Sequence, residues 1–463
     1  MNWFSIALLV LSQFATGAAL LCLVPDNVLR MLPRFVKLGM AMLLGLAAQT
    51  GAGLFLLLSG ASLTGWWWVV FGGAGVLLLC GRWKALAALT ARGESECTLE
   101  PPPVRFLVFA GATVLFVWCV ASALFVPTTD YDGIAIWSYR VKVLLHEGSL
   151  YGDSLRDPWR IAPMPRHPYF LPVLETAYCL AGGGFSFAAS HVPGILLYFS
   201  YLCVALGSTG LIAGKRLRAV AAASLLLMPA IAVQFWLEGP REPAIGVYAF
   251  AAVYCLALWI GQPSLSLVLL AAVFAVTAQQ IKVEGTPIAA GVLAGAFLIA
   301  ASSDGDRRLR LRQCLVAAAV VAVVALPWYL SRAAIPESRQ DYDFTEGFGS
   351  NFADRIRALP FVGRMVASEF FVRPELYGIA PFAVVWGLAT RWKRTVFPVR
   401  LALLIAPGLC LAGILAIYAV RQGQLSPERN VTFSRRIACV MPALVFAALC
   451  IPGRRADSKC DGG

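Results

Sequence analysis

The feature that most limits what this chain can become is the recurrence, along almost its whole length, of apolar runs of about twenty residues. Within a bilayer no water can satisfy backbone N–H and C=O groups, so such a run must close its own hydrogen bonds as a helix. Roughly 20 residues then suffice to cross the hydrocarbon core. Composition agrees: 59% of the 463 residues are hydrophobic and 14% are charged, against about 25% charged in a soluble domain. The expected fold class is all-α, a polytopic transmembrane helix bundle. The run at 3–24 has neither a basic segment before it nor a small-residue cleavage pattern near Pro25, so it reads as a retained span and not as a signal peptide.

Short basic loops stay on the cytoplasmic side. "GRWK" at 81–84, "KRLR" at 215–218, "DRRLRLR" at 306–312 and "RWKR" at 391–394 give a consistent frame, with the "GRR" tail at 453–455 in agreement. Spans then fall near 3–24, 37–60, 65–81, 105–126, 188–213, 219–237, 243–260, 264–280, 286–301, 313–333, 375–390, 396–420 and 437–452, roughly 13 in all, with the N-terminus outside. The stretch "HPYFLPVLETAYCLAGG" at 167–183 has two prolines and a glutamate. It is expected to lie on, or dip into, the outer surface without crossing. Residues 1–104 form the N-terminal spans and a cytoplasmic loop. Residues 105–452 form a core with outer loops at 127–187, 334–374 and 421–436, and 453–463 form a cytoplasmic tail. A cytoplasmic (inner) membrane protein is expected, its working face toward the exterior.

The formal net charge is +13. No nucleic-acid motif accompanies it, and in a membrane protein an excess of this kind reads as cytoplasmic loops drawn to anionic membrane lipids. The outer loops are also rich in arginine, among them Arg140, Arg166, Arg339, Arg357, Arg429, Arg435 and Arg436. Such a lining suits an anionic ligand such as a lipid phosphate, and contact with anionic headgroups accounts for it equally well. Most of the 12 cysteines lie in apolar runs (Cys22, Cys119, Cys203, Cys255, Cys410 and Cys439) and no C-x-x-C pair occurs. Neither a disulfide framework nor a zinc site is indicated.

Directly after the apolar run ending near residue 126 stands "TTDYDGIAIWSYRVKVLLH", 128–146. As a helix, 131–146 puts Ile134, Trp137, Val141, Leu144 and Leu145 on one face. Asp132, Tyr139, Lys142 and His146 fall on the other, with Arg140 nearby. A Trp-anchored amphipathic helix lies along a membrane surface, so Asp130 and Asp132 would sit at the mouth of the preceding span and the cations at headgroup depth. Thr129 or Asp130 acting only as a helix cap explains the acids as well. "DYD", repeated at 341–343, has the D-x-D form of a divalent-cation site, but a three-residue pattern assigns no metal ligand. Further acid–base groups fall at outer turns: Glu238, Arg241 and Glu242 in "LEGPREPAIG", Lys282 and Glu284 in "QQIKVEGTP", and Arg429, Arg435 and Arg436 in "SPERNVTFSRRIACVMPAL". Charges at span ends can simply snorkel into water. Their repetition at several turns on one face points instead to convergence on one site.

In this order the pieces resemble the GT-C superfamily of integral membrane glycosyltransferases. The likeness is to the bacterial branch related to protein O-mannosyltransferases, aminoarabinose transferases of lipid A and lipopolysaccharide-core galacturonosyltransferases. "DGIAIWSYRVK" at 132–142 is similar to that family's Asp-x-x-x-x-Trp-x-x-Lys-x-Lys pattern, and "RHPYFLPVL" at 166–174 to its His-Pro-x-Tyr-Pro-Leu-Leu segment with the Tyr shifted and one Pro missing. "REPAIGVY" stands at its Asp-x-Pro outer turn with Glu242 for Asp, "KVEG" at its Lys-x-Glu-Gly turn, and "SRRIACVMPAL" at its Arg-led last span. The resemblance implies a sugar donor carried on a polyprenyl phosphate and an envelope glycan, lipid or protein as acceptor. It implies Asp132, with Asp130 as substitute, as general base, and inversion at the anomeric carbon. Arg140, Lys142, Lys282 and Arg435 would hold the lipid phosphate, with Arg166 and Arg241 behind them. His167 would bond donor or phosphate, or is a plain loop residue. Trp137, Tyr139, Glu242 and Glu284 would line the substrate. No cofactor is implied beyond the lipid-linked sugar, with a divalent cation left open. A glycan polymerase or ligase of the O-antigen type also fits a polytopic, Arg-rich chain. A transporter or flippase fits less well, because no internal repeat is visible and the charges gather at span ends instead of at the midplane.

Overall fold

The computed structural model describes residues 1–63, 67–82, 102–128, 132–150, 167–212, 214–237, 241–303, 306–333, 373–390, 397–420 and 427–450, with a few isolated residues between them. Every regular element among these is helical. In chain order they are α1 (Trp3–Leu21), α2 (Asp26–Met31), α3 (Arg34–Leu58), α4 (Trp67–Gly81), α5 (Pro102–Phe125), a π-helical segment (Asp132–Ser138), α6 (Tyr139–Glu147), α7 (Phe170–Gly182), α8 (Phe187–Ser208), α9 (Lys215–Leu226), α10 (Pro229–Leu237), α11 (Arg241–Gly261), α12 (Leu265–Ile281), α13 (Thr286–Ser302), α14 (Arg307–Ala333), α15 (Pro374–Tyr377), α16 (Ala380–Thr390), α17 (Phe397–Val420) and α18 (Pro427–Leu449). The described residues of the thirteen apolar runs are mainly helical, with breaks at Leu227–Met228 and at Gly378–Ile379. Eight helical stretches are long and apolar enough to cross a membrane, and the other five runs lie on shorter apolar stretches of 10–17 described residues, two of them (Pro398–Ile414 and Arg436–Leu449) inside longer helices. Length and composition therefore support eight crossings among the described residues, and the protein is an integral membrane protein with an all-α bundle.

Small residues let the N-terminal helices approach closely, as helix pairs in lipid do. A Cβ on Gly17 of α1 would fall 1.6 Å from the Ala41 carbonyl oxygen, and one on Gly45 of α3 would fall 1.7 Å from that of Gln13. Polar side chains also bond across the same seam. Gln49 donates to Ser12 Oγ (2.7 Å) and Thr16 Oγ1 (3.0 Å), Ser12 to the Trp68 carbonyl (2.9 Å), and Tyr178 of α7 to Gln13 Oε1 (2.5 Å). The six cysteines placed inside apolar runs are all buried.

Two expectations change. At 13 residues, α7 is about 20 Å long at 1.5 Å per residue, too short for a ~30 Å hydrocarbon core, so it fits the non-crossing reading. Of the two placements expected, lying on the surface does not hold: Phe170–Cys179 are buried throughout, packed by α1, α3, α6 and α8. Nor does 132–146 keep the predicted faces. Trp137, Val141 and Leu144 are buried as expected, but Ile134 is 43% exposed and Arg140 is wholly buried. The first seven residues are π-helical, bonded i→i+5, and the extra residue in the turn shifts the faces that a 3.6-residue period assigns.

The innermost helix is α11, buried along nearly its whole length and packed by α12, α18, α8, α17, α13 and α10. It carries Arg241 and Glu242 in its first turn. At the other end Arg310 of α14 donates to the carbonyls of Trp259 and Ile260 (3.2 Å each), and Trp259 Nε1 donates to Gln313 Oε1 (2.7 Å). A guanidinium there complements the helix C-terminus. Glu242 and Ile260 stand about 27 Å apart along the axis, close to a hydrocarbon thickness. The basic 306–312 segment and the acids and bases of 241–242 thus occupy opposite ends of one helix.

Candidate functional site

Four ionised side chains from three separate parts of the chain meet beside the N-terminus of α11. Lys282 Nζ lies 2.6 Å from Glu242 Oε1 and 3.3 Å from Glu284 Oε1, and Arg436 Nη2 lies 3.3 Å from the same Glu284 oxygen. Each of the four side chains is 10–14% exposed. The backbone makes this convergence. α12 stops at Ile281, Lys282 is extended, and Val283–Gly285 forms a single 3₁₀ turn closed by the Gly285 N–H on the Lys282 carbonyl (2.9 Å). The turn folds back so tightly that a Cβ on Gly285 would lie 2.1 Å from the Ala278 carbonyl oxygen, and Pro287 then starts α13 where its missing N–H costs nothing. Gly246, one turn beyond Glu242, admits α18: a Cβ there would lie 2.5 Å from the Cys439 carbonyl oxygen, and Arg436 is one turn before Cys439.

A second group abuts the first. The Arg140 guanidinium lies over the rings of both Trp137 and Tyr169, 4.9 Å from each centroid, and that of Arg241 lies 4.3 Å from the Trp137 ring. The result is a ladder, Tyr169, Arg140, Trp137, Arg241, buried at every rung and anchored by Glu175 of α7, 3.6 Å from Arg241 Nη2. Desolvated cation–π contacts of this kind reach about 2 kcal/mol each. Arg140 also donates to the His167 carbonyl (3.4 Å), and the His167 ring meets Trp137 edge-on. Burial drives the His167 pKa down to about 3. The Glu284 carboxylate opposes this, and Arg140, Lys282 and Arg332 add to it. His167 is therefore neutral, and its Nδ1 has no hydrogen-bond partner among the described residues. For Lys282, burial pulls the pKa down but Glu242 and Glu284 outweigh it, holding the ammonium above the ordinary lysine value.

The end of α5 and Thr128, just before the two aspartates in sequence, are bonded to α8. His191 of α8, 3% exposed, bonds the Ala123 carbonyl of α5 through Nδ1 (2.8 Å) and Thr128 Oγ1 through Nε2 (2.8 Å). With the Nδ1 proton committed to a carbonyl, Nε2 accepts from the threonine hydroxyl. Thr128 ends the described chain before the π-helical segment, which Asp132 opens one turn ahead of Trp137.

Comparison with known proteins adds one likeness. A crystal structure of ArnT from Cupriavidus metallidurans bound to undecaprenyl phosphate is similar to this chain with a TM-score of 0.47 and 17% identity, over 74% of this chain and 59% of that one. The chain thus spans less than two thirds of that protein's length. No family model matches, and neither does any curated protein.

Of the residues singled out in the sequence, Trp137, Arg140, His167, Arg241, Glu242, Lys282 and Glu284 fall into these two adjoining groups. Lys142 is exposed, its Nζ 4.6 Å from the Phe185 ring centroid, and Tyr139 is half-buried against the core. Asp130, Arg166 and the second "DYD" lie outside the described residues, as do the side chains of Asp132 and Arg435. Sequence reasoning misses three contributors. Arg436 shows there only as one of a pair, and its burial follows from the phase of α18. Glu175 shows only as an obstacle to a span. Tyr169 gives no signal beyond lying next to His167-Pro168. No described group of three or more His, Cys, Asp or Glu residues could hold a metal ion.

Proposed function

We propose that this protein is a membrane glycosyltransferase that moves a sugar from a polyprenyl-phosphate donor to a hydroxyl of a cell-envelope acceptor. The observation that carries the reading is the meeting of Arg140, Arg241, Lys282 and Arg436 with Glu242, Glu284 and a neutral His167 at one end of a membrane bundle, beside the helix that Asp132 opens. Those residues suit a reaction in which negative charge grows on a lipid phosphate. Asp132 takes the proton of the acceptor hydroxyl as that oxygen bonds the anomeric carbon. The carbon–oxygen bond to the phosphate breaks, and its electron pair leaves with the lipid. A positioned carboxylate contributes about 10²–10⁴-fold, and preorganised cations where charge develops often contribute more. Arg140 and Arg241, flattened on Trp137, keep their forks fixed for phosphate oxygens. Lys282 and Arg436 stand beside them as point charges. A single displacement of this type inverts the anomeric carbon.

The site lies at the end of α11 opposite Arg310. With the basic 306–312 segment on the cytoplasmic side, it faces the exterior of the cytoplasmic membrane, where an envelope acceptor is present. The test is transfer in proteoliposomes supplied with a polyprenyl-phosphate sugar and crude envelope acceptor. Asp132→Asn, which keeps the shape and removes the base, is expected to lower transfer at least ~100-fold. Transfer at the wild-type rate overturns the role of Asp132. Absence of any glycosyl transfer by the wild-type protein across a panel of polyprenyl-phosphate sugars overturns the reaction class.

A further inference from the structure

The three buried carboxylates of the site are not held alike. Glu242 accepts a 2.6 Å hydrogen bond from Lys282, and Glu284 lies 3.3 Å from both Lys282 and Arg436. Glu175, in the middle of α7 and 3% exposed, has one described ionic partner, Arg241 Nη2 at 3.6 Å. That is too long for a hydrogen bond, and Glu175 Oε1 accepts none from the described residues. The helices packed on α7 bring no second cation to it. α1 and α12 have no ionisable residue. Those of α3, Arg34 and Lys37, lie about 24 Å or more down its axis from Gly53, which meets Val173 of α7. On α6, Lys142 and His146 are exposed and Arg140 is stacked between Trp137 and Tyr169. His191 of α8 has both ring nitrogens in hydrogen bonds. Burial accordingly pushes the Glu175 carboxyl up to about 7 against the pull of Arg241.

We propose that Glu175 is a positioning residue that competes with the donor phosphate for Arg241, so that the phosphate binds together with a proton taken up on Glu175. The inference rests on the polyprenyl-phosphate reading of these cations. The Arg241 guanidinium lies against Trp137 with the Glu175 carboxylate beside it. A phosphate that bonds this guanidinium takes over the balancing of its charge, and two anions then share one cation in a buried place. A phosphodiester is too acidic to be neutralised near pH 7. The carboxylate is the member that gives up its charge, because loss of its counter-ion and the approach of a like charge both favour its protonated form. The proton comes from solvent and stays on a Glu175 oxygen; no covalent bond to carbon or phosphorus changes. Protonated Glu175 releases Arg241 to the ligand. When the lipid departs, Glu175 ionises again and draws the guanidinium back, so the empty site never holds an uncompensated buried arginine. Glu242 and Glu284 are unsuited to this exchange, one held by a short hydrogen bond and the other by two cations.

The test counts protons. The full-length protein in nanodiscs is titrated with undecaprenyl methyl phosphate, a diester whose single charge stays fixed near neutrality, whereas a phosphate monoester takes up a proton of its own near pH ~6. Calorimetry in two buffers of different ionisation enthalpy gives the protons bound per lipid. The wild-type protein is expected to take up about half a proton or more at about pH 7.5, and to bind about tenfold more tightly at about pH 6.5 than at about pH 8.5. This is the linkage of one carboxyl that titrates near neutrality in the free protein and above about pH 8 in the complex. Glu175→Gln keeps the shape and cannot ionise, so it should bind without proton uptake and with an affinity constant to within about twofold over that range. If Glu175 is only a structural counter-ion, the same substitution changes stability but leaves the uptake and the pH slope in place. That result overturns the proposal, and so does wild-type binding without proton uptake. Wild-type protein that binds the diester at no pH defeats the polyprenyl-phosphate reading instead, and the competition with it. If Glu175→Gln does not fold, Glu175→Met reads the same two quantities.

Discussion

Replacing Lys282 by Met separates what the ion cluster does for the fold from what it does for a ligand. In the native protein two carboxylates, Glu242 and Glu284, face two cations, Lys282 and Arg436, with every side chain at 10–14% exposure. Lys282→Met is nearly isosteric but removes the 2.6 Å and 3.3 Å contacts together, leaving two buried carboxylates to share one guanidinium. Breaking a buried pair from one side costs about 3–5 kcal/mol, or roughly two to three and a half decades in the folding equilibrium. Removing Glu242 as well, in Lys282→Met/Glu242→Gln, restores charge balance and should return about 1–3 kcal/mol of that loss through the coupling of the pair. Unfolding by SDS in mixed micelles reads both values. Transfer activity should not follow stability: the double variant, though steadier, lacks a cation where phosphate charge develops and stays about 10²-fold down. The sign with pH is fixed too. The Lys282 pKa is raised in the folded protein, so its contribution is complete below the unfolded value near 10.5 and is lost only above it; the gap between wild type and Lys282→Met is flat from about pH 6 to 9. A loss below about 1 kcal/mol for Lys282→Met, or a double variant no more stable than the single one, refutes the assignment of the cluster as a mutually dependent buried unit.

Arg140→Lys keeps the charge but loses the flat surface between Trp137 and Tyr169; a cost of about 2 kcal/mol is expected in the same micelle assay, with transfer reduced. His167 is neutral in the fold with its pKa lowered to about 3, so the unfolded chain binds its proton first as pH falls below ~6.5 and wild-type stability drops there; His167→Gln should be shallower by up to one proton, about 1.4 kcal/mol per pH unit, between pH 6 and 5. Thr128→Val strands His191 Nε2, costing about 1–3 kcal/mol and lowering the transfer rate more than donor affinity, as kcat against KM will show. Gly17→Ala forces α1 from α3 through a 1.6 Å backbone clash, whereas Gly51→Ala meets nothing within 4 Å; only the first should lower thermal stability.

Much of this architecture is legible in the sequence because the bilayer leaves so few choices. An apolar run of span length has to be helical, and the described residues of the thirteen runs mainly are. Charges at the turns 241–242 and 282–284 stand out by interrupting apolar sequence, and they do meet. What stays hidden depends on phase and on partners. A 3.6-residue period puts Arg140 near the polar face, but it runs through residues that form a π-helical segment, and one extra residue per turn is enough to turn a guanidinium inward. α7 reads as a helix lying on or dipping into the outer surface because Glu175 and two prolines disqualify a span. Nothing local shows that α1, α3, α6 and α8 bury it, or that Glu175 has Arg241 as a counter-ion. Arg435 and Arg436 cannot be ranked from adjacent positions. Only the crossing of α18 against α11 at Gly246 selects Arg436 for Glu284.

Charge accounting links the two groups of the site. Among the described side chains, Arg140, Arg241, Lys282 and Arg436 stand against Glu242, Glu284 and Glu175, whose carboxyl burial pushes up to about 7 against the pull of Arg241, with His167 neutral, a surplus of one to two positive charges before Asp132 is counted. In the proposed reaction a phosphodiester enters with one negative charge and leaves as a phosphate monoester with nearly two, while Asp132 gains the acceptor's proton and loses its charge. The total in the site barely changes. One unit of negative charge moves from the carboxylate to the phosphate. What the protein can supply is therefore the difference in potential between those two positions, not a large net charge. The arrangement suits such a transfer, because the ladder and the cluster hold their cations on α6, α11, α18 and the Lys282 turn. Rings and carboxylates fix these cations and forbid their relaxation. Donors already aimed at the developing charge cost no reorganisation when it appears. The three glutamates then act less as reactants than as restraints, holding arginine and lysine where water would otherwise let them wander.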